Sequence, residues 1–120
     1  MKEFVKKIVP SKMKEMSVDI GEFISLYNKK QCELIDVRMD FETSLWQLNF
    51  GLKIPADELP ERLNELPKDK LLVISCPTKN RSSLAMTYLI SEGFNVKYLS
   101  DGLLGLMEYL KGSKAKELKL

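Results

Sequence analysis

Hydrophobic positions fall into short blocks that alternate between two spacings. Ile20, Phe23, Ile24 and Tyr27 repeat at i, i+3, i+4, i+7, the stripe of an amphipathic helix. Ser17 or Asp19 can cap that helix, and Glu22 sits three residues after Asp19 in a capping-box arrangement. Leu34, Ile35 and Val37 form a compact apolar run, read as a buried strand ending at Val37 or Arg38. Asp40 to Leu48 reads as helical, and Leu52-Lys53-Ile54 as a brief strand before Pro55. A helix is expected over Glu58 to Leu66, with Leu59, Leu63 and Leu66 on one face and Pro60 tolerated in its first turn. Leu71-Leu72-Val73-Ile74 is a continuous apolar run, as expected of a strand covered on both faces. Ser82 to Ser91 predicts a helix with Leu84, Tyr88 and Leu89 inward and Gly93 at its left-handed C-terminal position. Asn95 to Leu99 reads as a strand, Asp101-Gly102 as a turn, and Leu103 to Leu110 as a last helix.

Strands alternating with helices predict an α/β fold, a parallel sheet with helices on both sides. The 120 residues suffice for one core and not for two. The expected division is a basic N-terminal extension (1–15) broken by Pro10, a single domain (16–112), and a polar tail (113–120) that lies loose. A net charge of +2, with lysines interleaved with Glu, marks a solvated surface and implies neither a nucleic-acid nor a membrane partner. No stretch approaches the ~20 apolar residues of a membrane span. The basic start lacks the apolar run and cleavage site of a secretion signal, so a cytoplasmic location is the default.

The chain has no histidine, which removes imidazole bases and His-ligated metals from consideration. Its two cysteines, Cys32 and Cys76, are far apart and not in metal-ligand spacing, so reduced thiols are expected, with no metal and no cofactor. In open parallel sheets ligands bind at the carboxyl ends of the strands. The apolar run 71–75 ends there in Cys76-Pro77-Thr78-Lys79-Asn80-Arg81-Ser82, a thiol followed by a short loop and a helix start. Successive backbone N–H groups and the helix dipole make such a loop an anion site that stabilises a thiolate. Lys79 and Arg81 bring positive charge. Cys76 is therefore the candidate nucleophile, with Pro77, Thr78, Lys79, Asn80, Arg81 and Ser82 as the candidate substrate-binding loop. Cys32, lacking a basic loop, reads as structural. Asp36 and Arg38 read as a buried carboxylate accepting loop hydrogen bonds and an arginine paired with a carboxylate such as Glu42.

Leu34-Ile35-Asp36-Val37-Arg38, Ile54-Pro55-Ala56-Asp57-Glu58-Leu59 leading into Arg62 to Pro67, the loop Cys76 to Ser82, Glu92-Gly93-Phe94 and Asp101-Gly102-Leu103 together resemble a single-domain rhodanese. The likeness runs from about Ser17 to Gly112. It implies a five-stranded parallel sheet flanked by helices, and a cysteine that takes a sulfane sulfur from thiosulfate, a polysulfide or a persulfide. A thiophilic acceptor, cyanide in an assay or a thiol or protein partner in cells, then removes the sulfur. Arg81 stands five positions after Cys76, as in sulfurtransferases, whereas phosphatases of this fold have one residue more. Pro77 and Lys79 replace the basic residue and glycine usual in the loop, and Leu45 to Gly51 replaces a Gly-His-Ile-Pro-Gly-Ala segment.

Two functions from different classes follow. One is a sulfurtransferase working through a Cys76 persulfide. The other is a catalytically weak binding or regulatory module on the same scaffold, which the altered loop favours. A phosphatase or arsenate reductase is disfavoured by loop length.

Overall fold

The computed structural model describes residues 14–77 and 80–120. The expected N-terminal extension lies mostly outside the described residues, as do loop positions Thr78 and Lys79. Five strands, β1 (Ser17–Val18), β2 (Cys32–Asp36), β3 (Leu52–Lys53), β4 (Leu71–Ser75) and β5 (Val96–Leu99), form one sheet in the order β1-β5-β4-β2-β3. Every pairing is parallel. Among the described residues the α-helices are α1 (Ile20–Asn28), α2 (Asp40–Thr43), α3 (Asn80–Ser91) and α4 (Gly102–Leu110).

Successive strand residues point to opposite faces. Leu34 and Val73 therefore pack on one side against Phe23 and Ile24 of α1 and Leu103 and Leu106 of α4. Ile35, Leu72 and Ile74 pack on the other against Ala85, Met86 and Leu89 of α3, with Leu59 and Leu66. The strands are covered on both faces, which is why β4 reads as an unbroken apolar run. Asp19 caps α1 as expected, its carboxylate accepting the Glu22 N–H at 2.7 Å. Gly93 ends α3 at φ +92°. Gly51, at φ +81°, brings its backbone so close to β2 that a Cβ there would stand 2.9 Å from the Leu34 carbonyl oxygen.

Several elements depart from the sequence pattern, each for a local reason. The helix expected over 40–48 stops at Thr43. The Thr43 and Ser44 hydroxyls bond back to the carbonyls of Asp40 and Phe41, and the Trp46 carbonyl is taken by Arg38 instead of a helical N–H. The helix expected over 58–66 is two 3₁₀ turns, Ala56–Glu61 and Leu63–Glu65, because Pro60 supplies no N–H to continue one ladder. Leu84 is 74% exposed, not inward. The buried stripe of α3 is Ser82, Ala85, Met86 and Leu89, so Leu89 is inward as expected, and Tyr88 is part-buried against the same core.

The C-terminal tail is also ordered, contrary to the loose tail expected. It forms a 3₁₀ turn over Ser113–Glu117, and Leu118 packs on the core that includes Cys32. The Asn28 side chain holds it twice, its Nδ2 donating to the Glu117 carbonyl and its Oδ1 accepting the Lys119 N–H, both at 2.8 Å.

Candidate active site

From β1 the chain crosses to β2 and adds β3 outside it; it then returns to β4 and β5 on the other side. The carboxyl ends of β2 and β4 thus flank the point where the strand order reverses, where open parallel sheets bind their ligands. Asp36 of β2 is in register with Ser75 of β4, so the residues after each strand meet at one level. The Val37 N–H donates to the Ser75 carbonyl at 3.0 Å and ties the two exits together.

Cys76 follows β4 directly and is buried, 1% exposed. Burial alone would suit an inert core thiol. Its hydrogen bonding does not. The backbone N–H of Ser82, in the first turn of α3, donates to Cys76 Sγ at 3.2 Å. That N–H is one of the four that a helix start leaves without an internal acceptor, so the sulfur sits at the positive end of the helix dipole. On the loop's other side, the first turn of α4 donates to the loop's carbonyls. Leu103 N–H reaches the Cys76 carbonyl at 2.7 Å, and Leu104 N–H reaches that of Pro77 at 3.3 Å. Two helix N-termini therefore converge on the loop, one through sulfur and one through backbone.

Arg81 points away from the helix to Glu42 of α2. Both carboxylate oxygens are engaged, Nη2 lying 2.8 Å from Oε2. The hydrogen bonds from Arg81 hold the Glu42 carboxyl down to about 2, and the same pairing raises Arg81. Met39 N–H adds a further bond to Glu42 Oε1 at 3.1 Å, fixing the carboxylate on its short helix. The expected pairing of Arg38 with Glu42 is thus corrected. Arg38 is buried and bound to Asp36, with Nε at 3.1 Å from both carboxylate oxygens and Nη2 at 2.9 Å from Oδ2. Its guanidinium lies 4.0 Å from the centre of the Trp46 ring and donates to the Trp46 carbonyl. Asp36 also accepts the Arg38 N–H, the loop hydrogen bond expected of it.

Of the candidate loop residues, Cys76, Pro77, Asn80, Arg81 and Ser82 surround the β4–α3 junction; Thr78 and Lys79 fall outside the described residues. Pro77 contributes a carbonyl and no N–H. Cys32 is buried at the far end of β2, where loss of hydration and then the charge of Glu33 push its thiol up to about 12. Among the described residues no group of His, Cys, Asp and Glu is placed to hold a metal. The sequence reading missed Glu42 as the partner of Arg81. The sequence put Glu42 beside Arg38 alone, and nothing local pointed to Arg81, 39 residues away.

The model of the Rhodanese-like domain family matches residues 19–108. The chain belongs to that family. A rhodanese-related protein from Thermoplasma volcanium is 30% identical, with a TM-score of 0.66 over 77% of this chain and 90% of the other. A sulfurtransferase of Allochromatium vinosum is 34% identical over 61 residues, 51% of this chain and 57% of that protein. A tRNA uridine(34) hydroxylase of Hamiltonella defensa is 30% identical over 92 residues, 72% of this chain and 25% of that protein. The chain thus spans little more than half of the first of these curated relatives and a quarter of the second. The five-stranded sheet and flanking helices are those expected of a rhodanese-like domain.

Proposed function

We propose that this rhodanese-like domain transfers sulfane sulfur through a persulfide on Cys76. The observation that supports it most is the Ser82 N–H aimed at Cys76 Sγ where strand gives way to helix. That donor orients the sulfur for attack. The thiolate attacks the outer sulfur of a donor such as thiosulfate or a persulfide. A new S–S bond forms to Sγ, the donor's own S–S bond breaks, and its electron pair leaves with the remainder, sulfite in the case of thiosulfate. A thiophilic acceptor, a thiol or a protein partner in a cytoplasmic setting and cyanide in an assay, attacks the terminal sulfur and restores the thiolate.

The test is mass spectrometry after exposure to a sulfane donor, followed by a thiocyanate assay. An adduct of about 32 Da on Cys76 is expected. Cys76→Ser should abolish turnover and Cys32→Ser should leave most of it. Equal activity in the two variants overturns the assignment.

Two observations favour a second reading. Pro77 supplies no N–H to the loop and Cys76 is almost wholly buried, which suits a domain that binds or regulates without turnover. Absence of any Cys76 adduct with all sulfane donors tried would select that module.

A further inference from the structure

A second cavity lies at the amino ends of β2 and β4, the opposite end of the sheet from Cys76. It encloses about 490 Å³, far more than an inorganic ion fills and within the range of sites that take small organic molecules. Four segments converge on it. Tyr27 comes from α1 and Lys30 from just past its end, Cys32 opens β2, Lys70 precedes β4, and Lys119 and Leu120 belong to the tail. Sheet register fixes this meeting. Cys32 pairs with Leu71, whose N–H donates to the Gln31 carbonyl at 3.2 Å, so Lys70 stands beside the start of β2. Asn28 grips the tail on both sides of Leu118 and so holds Lys119 at the rim.

The lining is charged out of proportion to the chain. Three lysines face one carboxylate, Glu33, an excess of positive charge as large as the +2 of the whole sequence. Glu33 already accepts the Leu34 N–H at 3.0 Å. Among the described residues none of Lys30, Lys70 and Lys119 is in an ion pair, whereas Arg38, Arg62, Arg81 and Lys111 all are. Lys30 moreover stands at φ +60°, a left-handed position after a helix that glycine would take without strain. Like charges gathered round one hollow repel each other, and a bound anion relieves that repulsion. Between the ammonium groups the surface is apolar, made by the Tyr27 ring, Leu120 and the buried Cys32 thiol.

We propose that this cavity binds a small organic anion, an apolar body bearing one acidic group. The acid lies among Lys30, Lys70 and Lys119, and the body lies against Tyr27 and Leu120. Inorganic phosphate would leave the apolar surface uncovered, and a neutral molecule would leave the lysines unmatched. The site neither uses nor needs Cys76.

The probe is anilinonaphthalenesulfonate, an aromatic body with one sulfonate, titrated into the isotope-labelled full chain and followed by amide NMR. Saturable binding with a Kd below about 1 mM is expected. The shifts should gather at Tyr27, Lys30, Lys70 and Lys119 and spare Cys76. Lys70→Gln combined with Lys119→Gln should weaken binding by about tenfold, the scale of two charge-assisted contacts at a partly solvated site. Lys70→Arg combined with Lys119→Arg keeps both charges and should bind like the parent. Thermal melts check that each variant folds. The dye can also settle on exposed apolar side chains, and Phe41, Leu45 and Leu84 are the most exposed of these outside the tail. Shifts centred on those three overturn the proposal, as does a glutamine variant that binds as tightly as the parent. So does the absence of saturable binding.

Discussion

Glu42 grips Arg81 through both carboxylate oxygens and so joins the one-turn helix after β2 to the helix after β4. α2 is only four residues long and buries no side chain, so little else among its own residues fixes its place. A pair between a half-buried carboxylate and an arginine that remains 39% exposed is worth less than a buried one, and its value here is mainly positional.

The pairing sets a direction for acid stability. The Glu42 carboxyl is depressed from 4.5 to about 2, so the folded state binds its proton less readily than the unfolded chain. The contribution is present above the ordinary value and is lost as pH falls through the folded one. Glu42→Gln should be less stable than the parent near neutral pH, and the gap should close between about 4.5 and about 2. Urea unfolding at a series of pH values reads this directly; a gap that stays constant across the range contradicts it.

The two thiols should separate by reactivity. Cys32 is raised to about 12 by burial, so almost none of it is thiolate under mild conditions. Iodoacetamide at about pH 8 should modify Cys76 first in the folded protein, and Cys32 only after denaturation. Peptide mass mapping of a time course checks the order.

Arg38 and Asp36 should be strongly coupled. Removing one member leaves the other charge buried, so Arg38→Met should cost about 3–5 kcal/mol. Replacing both, as Asp36→Ala with Arg38→Met, should cost less than the sum of the two single changes. A double-mutant cycle by chemical denaturation measures this, and additive losses would show that the pair is not acting as a unit.

In the proposed reaction, Pro77 and Lys79 should limit the rate with thiosulfate. Each backbone donor aimed at developing charge can contribute ~3 kcal/mol, and Pro77 deletes one. Pro77→Arg combined with Lys79→Gly should raise the thiosulfate rate about tenfold, equivalent to ~1.4 kcal/mol. A double variant no faster than the parent counts against a loop-limited rate.

The core of the fold and the candidate loop are readable in the sequence because their signals are local. β4 declares itself by an unbroken apolar run, and a thiol, a short polar loop and a helix start follow without interruption. β1 is only Ser17–Val18, too short for any period, and it becomes a strand through Tyr98 and Leu99 beside it. α3 is recognisable as a helix, yet Leu84 attracts the wrong face because hydrophobicity alone cannot tell a core leucine from one lining a surface groove. The pairing of Glu42 with Arg81 joins residues 39 apart, and the burial of Arg38 with Asp36 depends on the Trp46 ring lying over it. Such choices between equivalent partners are made by tertiary geometry.

The amide of Asn28 offers one carbonyl and one NH₂, the same complement as a peptide group, and the tail pairs with it as it would with a neighbouring strand. Lys119 and Leu120 thereby share a cavity wall with Cys32. The tail therefore packs beside a thiol that is far from it in sequence. Trimming the segment from Ser113 onward would strip Leu118 and that wall from beside Cys32, and iodoacetamide labelling of Cys32 in the folded protein should then speed up.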